Sequence, residues 1–441
     1  MTSRAQPDTE PLLPPARGAA APSPRRITRA SIYVLVVAFI LLFAAAITLI
    51  LTGKASPPFW KDEGPSDPLE RAHWLLSRTK TPIIDGHIDL PEYVRTTYSN
   101  NVSEVHLDKK MGGHVDIKRL RKGHVGGFFW SCYTDCPEEP LLGKGQFLDP
   151  TNSVRDTLEQ IDVSKVLIAK YNTTFELAKS ADDLINARKN GKIASFLGIE
   201  GAHQLGNSLA VLRMYAELGV KYMTLTHSCN NAFADSAGIF DQPTPVHGGL
   251  SELGRELIVE MNRLGVIVDL SHVSDQTAEQ ALDLTRAPVI WSHSSSRKFV
   301  DIQRNVPDAI LRKIGYGKGL VDGVVHVNFA PYFIVNKGQP ATAEVVADHI
   351  EHIRSVIGWK HVGLGSDFDG IEIVPKNLES VADYPKLFAI LIRRGWKDEE
   401  LEALAGGNTL RILREVESVK RQMEEEHVGA SMGRYLKRDD L

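Results

Sequence analysis

The stretch IIDGHIDL, residues 83–90, is a β-branched run that turns polar at its end. In an extended strand residues two apart point the same way, so His87 and Asp89 present their side chains to one face. Seven further apolar runs follow at 124–131, 193–199, 221–226, 266–271, 288–292, 320–328 and 361–366, making eight with 82–88. Between several of them the apolar period changes to three or four, as in 154–170, 206–218, 250–264, 275–285, 305–315 and 341–357, which predicts crossover helices. Short strands alternating with helices specify an α/β protein with a parallel sheet, and eight of them match a (β/α)8 barrel of TIM type in size and rhythm. No glycine-rich phosphate loop follows any run, which speaks against an open doubly wound sheet. Residues 384–426 read as terminal helices, with Asn408 placed to cap the last one.

The other runs end as the first does. ASFLGIEG (194–201) brings Glu200, YMTLTHSCN (222–230) brings His227, and GVIVDLSHVS (265–274) brings His272. APVIWSHSS (287–295) brings His293 and HVGLGSDFDG (361–370) brings Asp367, so six of the eight runs end in a histidine or a carboxylate. A barrel gathers such ends on one face. Imidazoles and carboxylates without thiolates suit zinc in a hydrolytic site, with iron, manganese and cobalt as alternatives. Two histidine pairs and a shared carboxylate are enough for two adjacent ions.

Upstream the composition breaks. Residues 1–30 hold six of the 23 prolines, five arginines and two acids, too little apolar content to fold, and read as a disordered cytosolic tail. Within it DTEPLL (8–13) has the form of an acidic dileucine sorting signal. Ser31 to Leu51 then runs without a charge, long enough as a helix to span a ~30 Å hydrocarbon core, and is expected to be an uncleaved transmembrane signal anchor. Arginines crowd its N-terminal side, so the positive-inside rule makes this a type II single-pass membrane protein with its catalytic domain lumenal or extracellular. Residues 52–68 read as a stalk, 69–426 as the barrel with its C-terminal helices, and 427–441 as a flexible end. Asn101 and Asn172 stand in glycosylation triplets, and an oxidising compartment permits a disulfide among Cys132, Cys136 and Cys229. Across all 441 residues 43% are hydrophobic, 24% are charged and the net charge is −4, which excludes a disordered chain, a multi-span membrane protein and a basic nucleic-acid binder.

DGHIDLP, GIEGAH, LTHSCN, GLSELGRELIVEMNRLGVIVDLSHVS, PVIWSHSS, RNVPD and VGLGSDFDG, in this order, resemble the successive signatures of the membrane dipeptidase (renal dipeptidase) family of the amidohydrolase superfamily. The resemblance covers about residues 70–420. It implies a metallodipeptidase with two zinc ions per chain, one held by His87 and Asp89, the second by His272 and His293, and both bridged by Glu200. A metal-bridged hydroxide would attack the peptide carbonyl of a small dipeptide. Asp367 would relay the proton and rest ionised beside two cations, His227 would stabilise the oxyanion, and Arg304 would bind the substrate carboxylate or assist it. Cys136 and Cys229 match the family's disulfide pair, which leaves Cys132 free. Relatives that are often dimers make a homodimer an expectation by analogy. Alternatives are another amidohydrolase activity, on lactones or β-lactams, and a catalytically silent surface binding protein.

Some residues fall outside the pattern. His326, in VVHVNF, occupies an expected apolar position and reads as a satisfied core or rim histidine. His203 and His247 lie in loops near the expected mouth, and Ala330 and Pro331 in a stretch that shapes the substrate pocket in relatives.

Overall fold

The computed structural model describes residues 29–51, 64–137 and 151–437. The predicted tail apart from residues 29 and 30, most of the stalk and the dileucine motif lie outside the described residues. The chain divides into two units, residues 1–63 and 64–441. In the first, Arg29–Leu51 is one helix. Its side chains are described from Ile32 to Ala44, and over the described residues no helix is long and apolar enough to cross a membrane.

Among its described residues the second unit has nine strands: β1 (Ile83–Ile88), β2 (Val125–Ser131), β3 (Phe175–Leu177), β4 (Ile193–Glu200), β5 (Val220–Thr224), β6 (Ile267–Asp269), β7 (Val289–Trp291), β8 (Gly323–Val327) and β9 (Val362–Leu364). Pairing is parallel throughout, and β2 joins both β1 and β4, so eight strands close into a barrel in the order β1, β2, β4, β5, β6, β7, β8, β9. Each of the eight expected runs supplies one barrel strand. The ninth, β3, was not expected from sequence. It lies along the first half of β4, from Ile193 to Ser195, whose second half pairs with β5. Three residues, FEL, carry too little apolar pattern to announce a strand.

Every residue of the eight barrel strands is buried, which explains why they read as near-continuous apolar runs rather than alternating ones. The crossover helices begin and end on local signals. Ser251 accepts from the Gly254 amide to start Glu252–Leu264, and Gly265 at φ 71° ends it, a left-handed position that costs a glycine little. The stretch expected as a helix over 305–315 is helical only at Asp308–Leu311. Asn408 does not cap the last helix. A π turn at Ala403–Gly407 leads straight into Asn408–Glu425, and the Asn408 amide instead donates to the carbonyls of Trp359 and Val362.

His326 fills the barrel interior from β8. Its Nδ1 bonds the Trp291 carbonyl and its Nε2 the Thr409 hydroxyl, both at 3.0 Å. Gly86 on β1, Gly363 on β9 and Gly365 just past its end make room, since a Cβ at each would come within 3 Å of the ring or its Cβ. Of the core and rim positions expected from sequence, the structure has the core one.

Candidate metal centre

The strand ends converge as the barrel requires. His87 and Asp89 leave β1, Glu200 is the last residue of β4, and His227, His272, His293 and Asp367 follow β5, β6, β7 and β9. His87 Nε2 stands 3.1 Å from Asp89 Oδ2 and 3.5 Å from Glu200 Oε2. On the other side, the Nε2 atoms of His272 and His293 both lie 3.2 Å from Glu200 Oε1 and 3.0 Å from each other. Two triads result, His87–Asp89–Glu200 and Glu200–His272–His293, with Glu200 common to both.

These atoms suit a cation better than they suit one another. His87 Nε2 and Asp89 Oδ1 are buried without any hydrogen-bond partner. Two imidazole nitrogens facing one carboxylate oxygen offer more lone pairs than protons. Burial, and then the charge of nearby Arg304 and His227, pushes His272 well below the usual histidine range; burial, His87 and Arg304 do the same to His293. Both rings are therefore neutral, the form that ligates a metal. Glu200, penalised by burial but surrounded by His87, His272 and His293, is held well below the usual carboxylate range. All five residues expected as metal ligands fit two adjacent ions of the zinc type.

Side chains behind the triads fix the ligands. Asp269, the last residue of β6, accepts from the Ser292 hydroxyl at 2.6 Å and from the Ser271 and Ser292 amides. With that proton spent, Ser292 Oγ can only accept from His293 Nδ1 at 2.8 Å, which leaves the Nε2 lone pair pointing at Glu200. The Tyr222 hydroxyl meets His87 Nδ1 at 2.8 Å. Asp85 accepts the amides of His87 and Ser366 and the hydroxyl of Tyr384, locking the end of β1 to the loop after β9. His272, Asp367 and Asp369 all carry left-handed backbone, φ 62° to 69°, a local cost of the kind that collects at functional sites.

A cavity of about 210 Å³ opens onto the triads, lined by Asp89, Glu92, Tyr133, Glu200, His227, Ile239, His272, His293, Tyr332, Phe333, Asp367 and Gly370. That is smaller than the roughly 300–1,000 Å³ of drug-sized sites and suits a small substrate. Asp367 accepts from the Asn328 amide at 2.9 Å. Burial, and then the negative charges of Asp89 and Glu200, pushes its carboxyl up to about 8 on the protein's own charges; the expected ionised state thus depends on cations beside it. The His227 ring lies 4.4 Å from that of His272 and 4.8 Å from that of Tyr133. Arg304 is placed beneath the wall rather than in it. It donates to Ser294 Oγ and the His293 carbonyl, its guanidinium lies 5.2 Å from the Phe333 ring, and its Nε has no partner.

Cys136 and Cys229 are bonded, tying the loop after β2 to the loop that carries His227, and Cys132 is free and buried. Asn101 and Asn172 are exposed. His203 is buried with Nε2 against the Thr134 carbonyl, and His247 bonds the Asn231 carbonyl; neither lines the cavity. Pro331 opens the short helix Pro331–Ile334, whose Tyr332 and Phe333 form part of the cavity wall. Sequence reasoning missed Glu92, Tyr133, Tyr222, Asp269 and Ser292. The first stands three residues after Asp89 across a helical turn, a spacing that could have shown it. Burial, then Asp89 and Asp135, pushes Glu92 up to about 7.

Known proteins share this chain's sequence and fold. The chain is 47% identical over 346 residues to an uncharacterized dipeptidase of Schizosaccharomyces pombe, covering 77% of this chain and 82% of the relative. It is 43% identical over 338 residues to the dipeptidase tcpJ of Claviceps purpurea, covering 76% and 77%. Among solved structures, the probable dipeptidase PvdM of Pseudomonas aeruginosa shares the fold with a TM-score of 0.71 at 24% identity, over 80% of this chain and all of that one. A Rhodobacter sphaeroides metallopeptidase, solved with a phosphinate mimic of L-Ala-D-Ala, gives 0.67 at 24% identity over 76% and 99%. The model of the membrane dipeptidase family, peptidase family M19, matches residues 69–427, and the chain belongs to that family.

Proposed function

We propose that this protein is a membrane-tethered dipeptidase that works with two zinc ions, one held by His87, Asp89 and Glu200 and the other by Glu200, His272 and His293. The observation that carries the reading is the single carboxylate shared by two donor triads at the floor of a small cavity. Bound zinc would supply an activated water and polarise the substrate carbonyl. Asp367 uses the oxygen not engaged by Asn328 to take a proton from the attacking water and pass it to the leaving nitrogen. His227, neutral through burial, donates an N–H to the carbonyl oxygen as it gains charge. Arg304 sets a positive charge beside the His272–His293 side and draws the substrate carboxylate there.

The tether rests on the sequence, an uncharged apolar run from Ser31 to Leu51 that is longer than the part whose side chains the structure describes; the large apolar side chains of that part, from Ile32 to Phe43, are each at least 48% exposed. A type II orientation puts the barrel outside the cytosol, where the exposed Asn101 and Asn172 meet glycosylation and the Cys136–Cys229 bond persists.

The test is zinc analysis of the full chain in detergent, with hydrolysis of a dipeptide panel before and after chelation. Two zinc ions per chain and chelator-sensitive cleavage are expected. Fewer than one ion per chain, or cleavage indifferent to chelator, overturns the proposal. Resistance of the chain to alkaline extraction from membranes tests the tether.

A further inference from the structure

Glu92 has no role in holding metal, yet its carboxylate forms part of the cavity wall. It sits in the first turn of the helix Leu90–Tyr98, where side chains lean back toward the helix start and so toward Asp89. Gln160, fully buried, donates one amide group both to Glu92 Oε2 at 3.1 Å and to the Tyr133 carbonyl at 3.2 Å, which fixes the carboxylate at that side of the cavity. No ion pair involves Glu92 among the described residues. The nearest arginine on its own helix, Arg95, is turned away to Asp156 and Glu159. A largely buried carboxylate with acidic neighbours and no cation is costly until a cation arrives.

A dipeptide brings such a cation to a fixed place. Its ammonium is attached to the carbon next to the scissile carbonyl, so it must lie within a few bonds of whatever the two triads hold. Arg304 bonds the His293 carbonyl on the opposite, His272–His293 side of the site. A carboxylate thus stands in the wall on one side and a guanidinium lies beneath the wall on the other, the polarity of a dipeptide zwitterion.

Building on the dipeptidase reading, we propose that Glu92 is a specificity residue that binds the free ammonium group of the substrate's first residue, so that the site demands an unblocked amino end. Calorimetric binding to the zinc-loaded full chain tests it with two probes, a phosphinate isostere of Ala-Ala and the same compound lacking the amine. The wild type is expected to bind the amine form at least ~10-fold tighter. In Glu92→Gln that preference falls below about threefold with zinc content and des-amino binding unchanged, and Glu92→Asp restores part of it. A preference that survives in a zinc-replete Glu92→Gln protein, or its absence in the wild type, overturns the proposal. So does a Glu92→Gln defect confined to Lys-Ala and absent with Ala-Ala, which would assign the carboxylate to a basic side chain. Binding requires no turnover: a wild type that prefers the amine form but cleaves no dipeptide refutes the hydrolase reading and leaves the ammonium assignment standing.

Discussion

His293 and His326 are carried by neighbouring strands, β7 and β8, and both are buried, yet they live in opposite chemical circumstances. His326, in the barrel interior, has both ring nitrogens bonded, to Trp291 and Thr409, and glycines cleared around it. His293, just past the strand end, has its Nδ1 fixed by Ser292 while its Nε2 is pressed against another imidazole nitrogen and a carboxylate. The first is a solved packing problem, the second an unsolved one that needs a ligand. What separates structural from functional histidines here is the balance of protons and lone pairs around each ring, not burial or residue type.

The largest effect that would test this contrast falls on Glu200, the group on which the mouth depends. Glu200→Gln keeps the shape but removes the shared charge. It is expected to hold at most one zinc and to lose several kcal/mol of transition-state stabilisation, roughly a thousandfold in kcat/KM. Retention of two zinc ions with near-normal turnover would break the assignment. The next comparison is direct. His326→Ala opens a cavity and orphans two polar groups, so its stability toward urea should drop by about 2–4 kcal/mol with zinc content unchanged. His293→Ala should lose zinc, and after chelation of both proteins it should be no less stable than the wild type. If the two variants behaved alike, the distinction between interior and mouth would have no content. A smaller effect belongs to Tyr222→Phe, which removes only the hydroxyl that orients His87. Zinc affinity should weaken by about 10–100-fold, measured by competition with a chromogenic chelator.

How much of this was legible in the sequence follows from the range of each interaction. A strand that is buried on both faces must be apolar until it leaves the barrel, so the polar residue that ends the run marks the mouth. IIDGHIDL and GVIVDLSHVS therefore disclose both element and ligand. β3 escaped because three residues borrowed by the edge of β4 carry no period of their own. Asp269 and Ser292 were in view inside the quoted motifs, but their chain to His293 joins the ends of two strands and exists only once β6 and β7 are side by side. Glu92 and Tyr133 are brought together by Gln160 from a helix 27 or more residues away. Arg304 was picked out by resemblance, and only packing shows that Phe333 covers it. For His326 the position inside an apolar run left core and rim both open, and only packing places the ring in the interior.

The smallest effect concerns that interior ring and acid. Burial lowers His326 to about 4, against an ordinary value of 6.5. Between those two values the unfolded chain holds a proton at this residue that the folded chain does not. Stability from this group is therefore complete above pH 6.5 and declines as pH falls toward 4, by up to about 1.4 kcal/mol per pH unit. His203 and His349, also lowered to about 4 by burial, add slopes of the same sign, so the total alone cannot identify His326. The discriminating quantity is the proton number. Urea unfolding of the barrel at pH 5 and 6 should give a slope about one proton shallower in His326→Gln than in the wild type, even though the variant is less stable at every pH. An unchanged slope would mean that the ring takes up its proton inside the fold, against the burial that lowers it.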